Sequence, residues 1–257
     1  NLNLLQEKIF TANTPFEYVD LKTKNAFFSK FGAGVSFSDN KIVDSILIMP
    51  DNRQEAYAIN VSSYLKVDAY FEIRKSVKFS SSDLKIFIGG NFDKISSPTF
   101  INQKYLKNNS DNITLTSTIG YGFADLLNIE FRERMLFSRL KQDMLSYQYN
   151  GTTLSHTLNV NYLLNRNFSL NSNVTYNTNK STWASPVNFT IWNAYLTYRL
   201  LKNGNGEVKL SAIDLLGQNR NVVNKFYNAN FATIYKNNLQ RYVMLSFSYY
   251  PRNFKKD

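Results

Sequence analysis

Apolar and polar residues alternate with a period of two along most of this chain, most clearly between Val187 and Tyr250. Trp192, Ala194, Leu196, Tyr198 and Leu200 are apolar or aromatic, with Asn193, Thr197 and Arg199 between them. After Asn203-Gly204-Asn205-Gly206, a turn signal, Val208, Leu210 and Ala212 alternate with Glu207, Lys209 and Ser211. Val243, Leu245, Phe247 and Tyr249 then alternate with Ser246 and Ser248. A period of two is the mark of a strand whose faces meet unlike surroundings. Here one face carries rings and the other full charges, a pattern suited to lipid on one side and a wet lumen on the other.

The same pattern can be followed upstream. Residues 1–24 are ambiguous and are expected to hold one strand plus a loop. Phe31, Ala33, Val35 and Phe37 define the next apolar face, followed by an Asp- and Asn-rich loop from Ser38 to Glu55. A long strand is expected from Tyr57 to about Phe79, with Ile59, Val61, Leu65, Val67, Ala69, Phe71, Ile73, Val77 and Phe79 outward. Leu84 to about Phe92 forms another strand, and Ser96 to Asp111 reads as a polar loop. Ile113, Leu115, Ile119, Tyr121 and Phe123 mark the next face, and Leu127, Ile129, Phe131, Met135 and Phe137 the one after. Glu133 breaks that parity and would face outward unless a bulge or the rim of the bilayer intervenes. A loop from Leu140 to Thr152 precedes the strands around Leu158–Tyr162 and Phe168–Tyr176.

Short turns near residues 81, 124, 166 and 204 thus alternate with longer connections near 46, 103, 146, 183 and 228. Transmembrane barrels show this alternation, with short periplasmic turns and longer outer loops. The expected fold is an all-β transmembrane antiparallel barrel of which ten or eleven strands are present. A C-terminus in the periplasm would put every long connection outside.

Composition refines this picture. No run approaches the roughly 18 apolar residues of a membrane helix, and the mean hydropathy of -0.34 averages two unlike faces. Without a cysteine, disulfides and thiolate metal sites are excluded. The net charge of +11 comes from Lys and Arg scattered through strands and loops, which argues against a nucleic-acid surface and suits attraction to anionic headgroups. Asn1-Leu2-Asn3 shows no secretory signal, so an outer-membrane protein would be expected to start upstream. No linker or composition shift divides residues 1–257, which are expected to be one unit.

Candidate chemistry is sparse. Lys66, Asp68, Glu72, Arg74, Glu130, Arg132, Arg134 and Lys209 are candidate lumen-facing charges, for a substrate path or for docking a plug; a solvated inner wall with neutralising pairs is the plainer reading. Tyr147, Tyr149, Phe226, Tyr227, Phe231 and Tyr235 are candidate extracellular-loop aromatics that would grip a ligand or a lid, or serve as ordinary rim aromatics. His156, the single histidine, has no partners for a transition-metal site. Phosphate-binding, dinucleotide and hydrolase signatures are all missing. Neither enzymatic activity nor a cofactor is expected.

Trp192-Asn193-Ala194, Asp214-Leu215-Leu216-Gly217-Gln218-Asn219 and Arg241-Tyr242-Val243-Met244-Leu245-Ser246, in that order, resemble the C-terminal end of the outer-membrane β-barrel domain of TonB-dependent-receptor-like proteins of the Bacteroidota. Leu158–Asn177 and Asn60–Lys94 share that texture; Gly217 stands where the family often has Asn. The resemblance implies the C-terminal half of a barrel of ~22 strands with a plugged lumen. It implies uptake of a nutrient across the outer membrane, powered through TonB. Expected partners are the lipid bilayer and lipopolysaccharide, the rest of the barrel or its plug, TonB or a surface lipoprotein lid, and other subunits of an envelope complex, but no nucleic acid. Two alternatives stay open: a non-transporting subunit of an assembly or secretion complex, and a complete small barrel of ten or twelve strands.

Overall fold

The computed structural model describes residues 3–22, 24–51, 53–143, 148–201, 205–219, 221–227, 230–236 and 239–250. Among these the regular elements are all strands: β1 (Lys8–Lys22), β2 (Asn25–Asp39), β3 (Lys41–Ile48), β4 (Gln54–Val61), β5 (Tyr64–Lys78), β6 (Ser82–Ile101), β7 (Lys104–Phe123) and β8 (Leu127–Gln142). They continue as β9 (Gln148–Asn165), β10 (Phe168–Ser181), β11 (Ala184–Leu200), β12 (Gly206–Ile213), β13 (Asn221–Tyr227), β14 (Asn230–Lys236) and β15 (Tyr242–Tyr249). Eleven of them form one antiparallel path, β1-β2-β5-β6-β7-β8-β9-β10-β11-β12-β15, and β13 and β14 pair apart as a hairpin. The fold is all-β and of the antiparallel barrel type.

The apolar residues of this sheet do not make a core. The surface of 17269 Å² compares with roughly 12,000 Å² for a compact soluble chain of this mass. The apolar face is where that excess lies: Phe31, Ile119, Phe131, Leu158, Leu210 and Leu245 are all exposed.

The register shows that the exposed residues form a planar band. On β2 the apolar segment runs from residue 27 to 37, on β7 from 113 to 123, and on β11 from 192 to 200. Gly32, midway on β2, shares a cross-strand row with Tyr70, Asn91 and Thr114. Leu196, midway on β11, shares one with Leu170, Tyr162, Leu127 and Phe123. The middle of the band therefore slides from Thr114 to Phe123, about nine residues, in seven strand-to-strand steps. With ~3.4 Å per residue and ~4.8 Å between strands, that slope is a strand tilt of about 40° to the band. Segments of nine to eleven residues at this tilt are about 25 Å tall. Both margins are aromatic: Phe37, Phe92, Phe137, Tyr176 and Trp192 at one, Phe27, Phe123, Tyr162, Phe168 and Tyr198 at the other.

Several expectations are corrected. Residues 57–79 are not one strand: the backbone turns at Ser62–Ser63, where Ser63 has φ 72°, so Ile59 and Val61 belong to β4. The expected loop 38–55 contains β3 and part of β4. The expected loop 96–111 is instead the far end of β6 and β7, joined by the tight turn Asn102–Gln103 with φ 49° and 64°. The connection near 183 is the two-residue turn between Ser181 and Ala184. Polar residues obscure a strand only when one face is expected to be apolar. Beyond the band both faces can be wet, and the ladder continues without alternation.

That far end holds most of the buried apolar side chains among the described residues. β5 leaves β6 at Ser96, and β3 takes its place in parallel, Ser45 opposite Phe100 and Ile46 opposite Ile101. Ile46, Val61 and Leu106 are buried, with Pro98, Ser38 and Ser45 almost wholly so. The Asn102 N–H donates to the Ile46 carbonyl (2.8 Å), and the Ile48 N–H to Asn102 Oδ1 (2.7 Å). Asn60 accepts from the Leu5 N–H (2.6 Å) and donates to the Leu5 and Asn40 carbonyls.

Candidate functional site

The polar face, opposite the apolar band, is concave. One cavity of about 430 Å³ is lined by Phe28, Arg74, Phe87, Thr118 and Glu130, from five adjacent strands. Four steps of ~4.8 Å would hold the outer two of those strands about 19 Å apart on a flat sheet, so the sheet curls toward this side. A neighbouring cavity of about 680 Å³ lies beside the Phe79–Ser81 and Ala124–Leu126 turns and reaches Asn161 and Asn171.

All eight candidate charges lie on this face. One row reads Glu17, Lys30, Glu72, Gly89, Thr116, Arg134. Another reads Ser76, Lys85, Gly120, Glu130, Asn159, Asn173, Asn193. Lys66 lies 3.3 Å from Asp68 and 3.7 Å from Asp93, Arg74 pairs with Glu72, and Arg132 donates to Glu130 at 3.0 Å. Opposite charges two residues apart on one strand, or facing across two, neutralise each other where the wall is wet. Lys209 lies over the Tyr195 ring at 4.7 Å.

Two features of this face had a sequence signal that alternation alone did not exploit. Phe28 and Phe87 sit at polar-face positions and flank the Arg74 guanidinium at 5.5 and 5.7 Å, a cation–π sandwich. Asn128, Asn161 and Asn171 form a cross-strand row with Tyr195 and line a further recess of about 280 Å³ together with Glu130, Asn159 and Asn173. Asn159 donates to Glu130 (3.2 Å) and accepts from Asn173. The face offers amide and ion-pair chemistry to a polar solute, and no set of three metal-ligating groups occurs among the described residues.

Glu133 faces outward without any bulge: the register runs unbroken through Ser117, Glu133, His156 and Tyr176. It stands one residue from the middle of β8's apolar segment, near mid-band. His156 Nδ1 lies 3.4 Å from its carboxylate and stacks on Tyr176 with centroids 6.2 Å apart.

The loop aromatics divide. Tyr149 is not in a loop but in β9, buried and packed against Trp183 with centroids 5.3 Å apart. Burial raises its phenol pKa above the usual 10.0. Phe226 and Phe231 are backbone partners in the β13–β14 hairpin, as Tyr235 is with Val222 and Tyr227 with Asn230. Tyr147 lies outside the described residues.

The Asp214–Asn219 turn has a physical basis. Asp214 is wholly buried, and its carboxylate accepts the N–H groups of Gln218 and Asn219, each at 3.1 Å. Gly217 has φ 63°, a left-handed conformation that Gly or Asn adopts readily. The turn tolerates either residue for that reason.

No family model and no curated protein matches the chain. A solved structure, OmpT (in-vitro folded), an outer membrane protein of Vibrio cholerae (trimer form), is similar over 95% of this chain and 99% of that one, at 9% identity and a TM-score of 0.40.

Proposed function

We propose that this chain is wall of a bacterial outer-membrane β-barrel, with its C-terminus in the periplasm, in a TonB-dependent-receptor-like transporter that takes up a nutrient. The observation that carries the membrane reading is the oblique apolar band: about 25 Å tall, edged by rings on both margins, and crossing strands at about 40°. A soluble partner surface has no reason to be planar across eight strands. The transport reading is supported by the concave polar face with its ion-pair rows, and by the resemblance at Trp192–Ala194, Asp214–Asn219 and Arg241–Ser246.

Val160 and Asn159 test the membrane reading. Val160 shares an outward row with Tyr121, Ile129, Ser172 and Ala194, whereas Asn159 lies on the concave face beside Glu130. Val160→Arg places a charge in hydrocarbon at a cost of about 2–4 kcal/mol; Asn159→Arg keeps Glu130 as a neighbour, now of opposite charge, and is expected to cost little. The heat-modifiable folded fraction in membranes should fall for the first variant alone. Equal losses would end the membrane reading. Transport is tested by nutrient-limited growth of a deletion strain, which should fall to the level of a strain lacking TonB.

The second reading, a subunit of an outer-membrane assembly, draws on Glu133 and His156. Ionisable groups in the middle of an apolar band are costly against lipid and suited to a protein neighbour. Under this reading the deletion leaves uptake intact, and the chain co-purifies with a membrane partner.

A further inference from the structure

We infer that the sheet is completed by an odd number of further strands from polypeptide outside β1–β15, and that the strand against each free edge runs from the short-turn end to the long-loop end. The inference rests on edge direction. β1 begins opposite Asp39 and ends opposite Asn25, so it runs toward the short-turn end. β15 begins opposite Ile213 and ends opposite Gly206, and runs the same way. Eleven strands alternating in direction always leave both edges alike. Each edge is paired on one side only among the described residues.

Direct closure of β1 on β15 would therefore be a parallel pairing in an otherwise antiparallel wall. A second copy offers no remedy. In a shared membrane orientation it would bring β15 of one copy against β1 of the other, again parallel. Turning one copy over would put its long connections on the opposite side. A strand of opposite direction satisfies both edges, and so does any odd number of strands in alternation.

The edges also state what that strand must be like. Leu245, Phe247 and Tyr249 on β15, and Phe10 and Phe16 on β1, are among the most exposed apolar side chains. In a bilayer, edges whose N–H and C=O groups lack partners are strongly unfavourable, because no water is there to take their place. The incoming strand alternates apolar residues outward with polar residues inward, against Glu17 and Asn13 on one side and Ser246 and Ser248 on the other. Pro15, in β1, lacks an N–H and removes at most one rung.

This reasoning relies on the membrane reading for the need to close, but its test does not. The full-length protein in native membranes, with Phe10, Tyr18 or Phe247 replaced by the photo-crosslinker p-benzoylphenylalanine, is irradiated and the adducts are mapped by mass spectrometry. All three replacements swap a ring for a ring, and heat-modifiability checks that each variant is folded. Every adduct should map outside residues 8–249. The peptide joined to Tyr18 should precede in sequence the one joined to Phe10, because the new strand passes the short-turn end first. The reverse order, an adduct between β1 and β15 in one copy or two, or no adduct at any site would overturn the inference. Adducts in the expected order from protein that fails the Val160 test would retain the strand and discard the membrane.

Discussion

The mid-band wall and the far end of β6 and β7 are built from one sheet under opposite rules. In the wall, Leu158, Ile119 and Phe131 point away from the chain and stay exposed, and the polar side chains face the concave interior. At the far end, Ile46, Val61 and Leu106 are buried in the manner of a soluble domain, where β3 docks on β6. The difference teaches that the solvent changes along each strand. Where water surrounds the sheet, apolar groups must find each other. Where the surroundings are apolar, they need not, and the band can be read by what it leaves uncovered.

The sharpest way to break this comparison is to cut the small core. Leu106→Ala removes a buried side chain at a cost of about 2–4 kcal/mol, expected to fall on the docking of β3 and β4. Protease cleavage within residues 49–53 should rise severalfold while the heat-modifiable band is unchanged. Leu158→Ala, the same change in the wall, should leave that cleavage rate untouched. Parallel loss in both variants would mean that the two regions unfold as one.

Asp214 tests whether a buried polar anchor belongs to either regime. Asp214→Ala orphans the N–H groups of Gln218 and Asn219, and charge-assisted bonds of this kind contribute about 1.5–3 kcal/mol. Thermal unfolding should shift down by several degrees. Gly217→Asn should be nearly silent, since Asn accepts a positive φ, and Gly217→Val should not be.

The faces of the strand residues within the apolar band were legible, because two unlike surroundings impose period two on the same chain. The eight charges fell on one face for that reason. The far end was not legible: between residues 96 and 111 burial falls on Ser96, Pro98 and Thr99 as well as on Leu106, so polarity carries no alternation there, though these residues lie in the ladder. The Ser62–Ser63 break did leave a signal, since Ser63 interrupts an odd series that is otherwise apolar or aromatic from Tyr57 to Ile73. Arg74's rings were hidden by the rule itself, which assigns Phe to the outside. Glu133 was seen as an exception, and its partner His156 needed the register.

That exception supplies the next prediction. Replacing both members of a polar pair by apolar residues is often neutral or stabilising where water is excluded. Glu133→Leu combined with His156→Leu should therefore raise stability in bilayers by about 1 kcal/mol or more if lipid covers the site. Loss of stability, or loss of a co-purifying partner, would instead place protein there, and the wall would no longer be uniform.

The smallest expected effect lies just beyond the upper margin of the band, at Tyr149, about five residues above Leu154 on β9. Burial against Trp183 favours the neutral phenol, so its pKa is raised in the folded chain relative to the usual 10.0. A raised pKa means that this contribution is complete below the unfolded value and is lost as pH rises through the folded one. In that window the unfolded chain gives up its proton first, and unfolding gains. Tyr149→Phe removes the titration while keeping the ring against Trp183. The midpoint of alkaline unfolding should move slightly upward in the variant, with no difference from the parent's pH dependence between pH 6 and 8. If the two alkaline curves coincide, Tyr149 is as well solvated as an ordinary surface tyrosine. The packed, water-excluding regime of the far end would then stop short of β9.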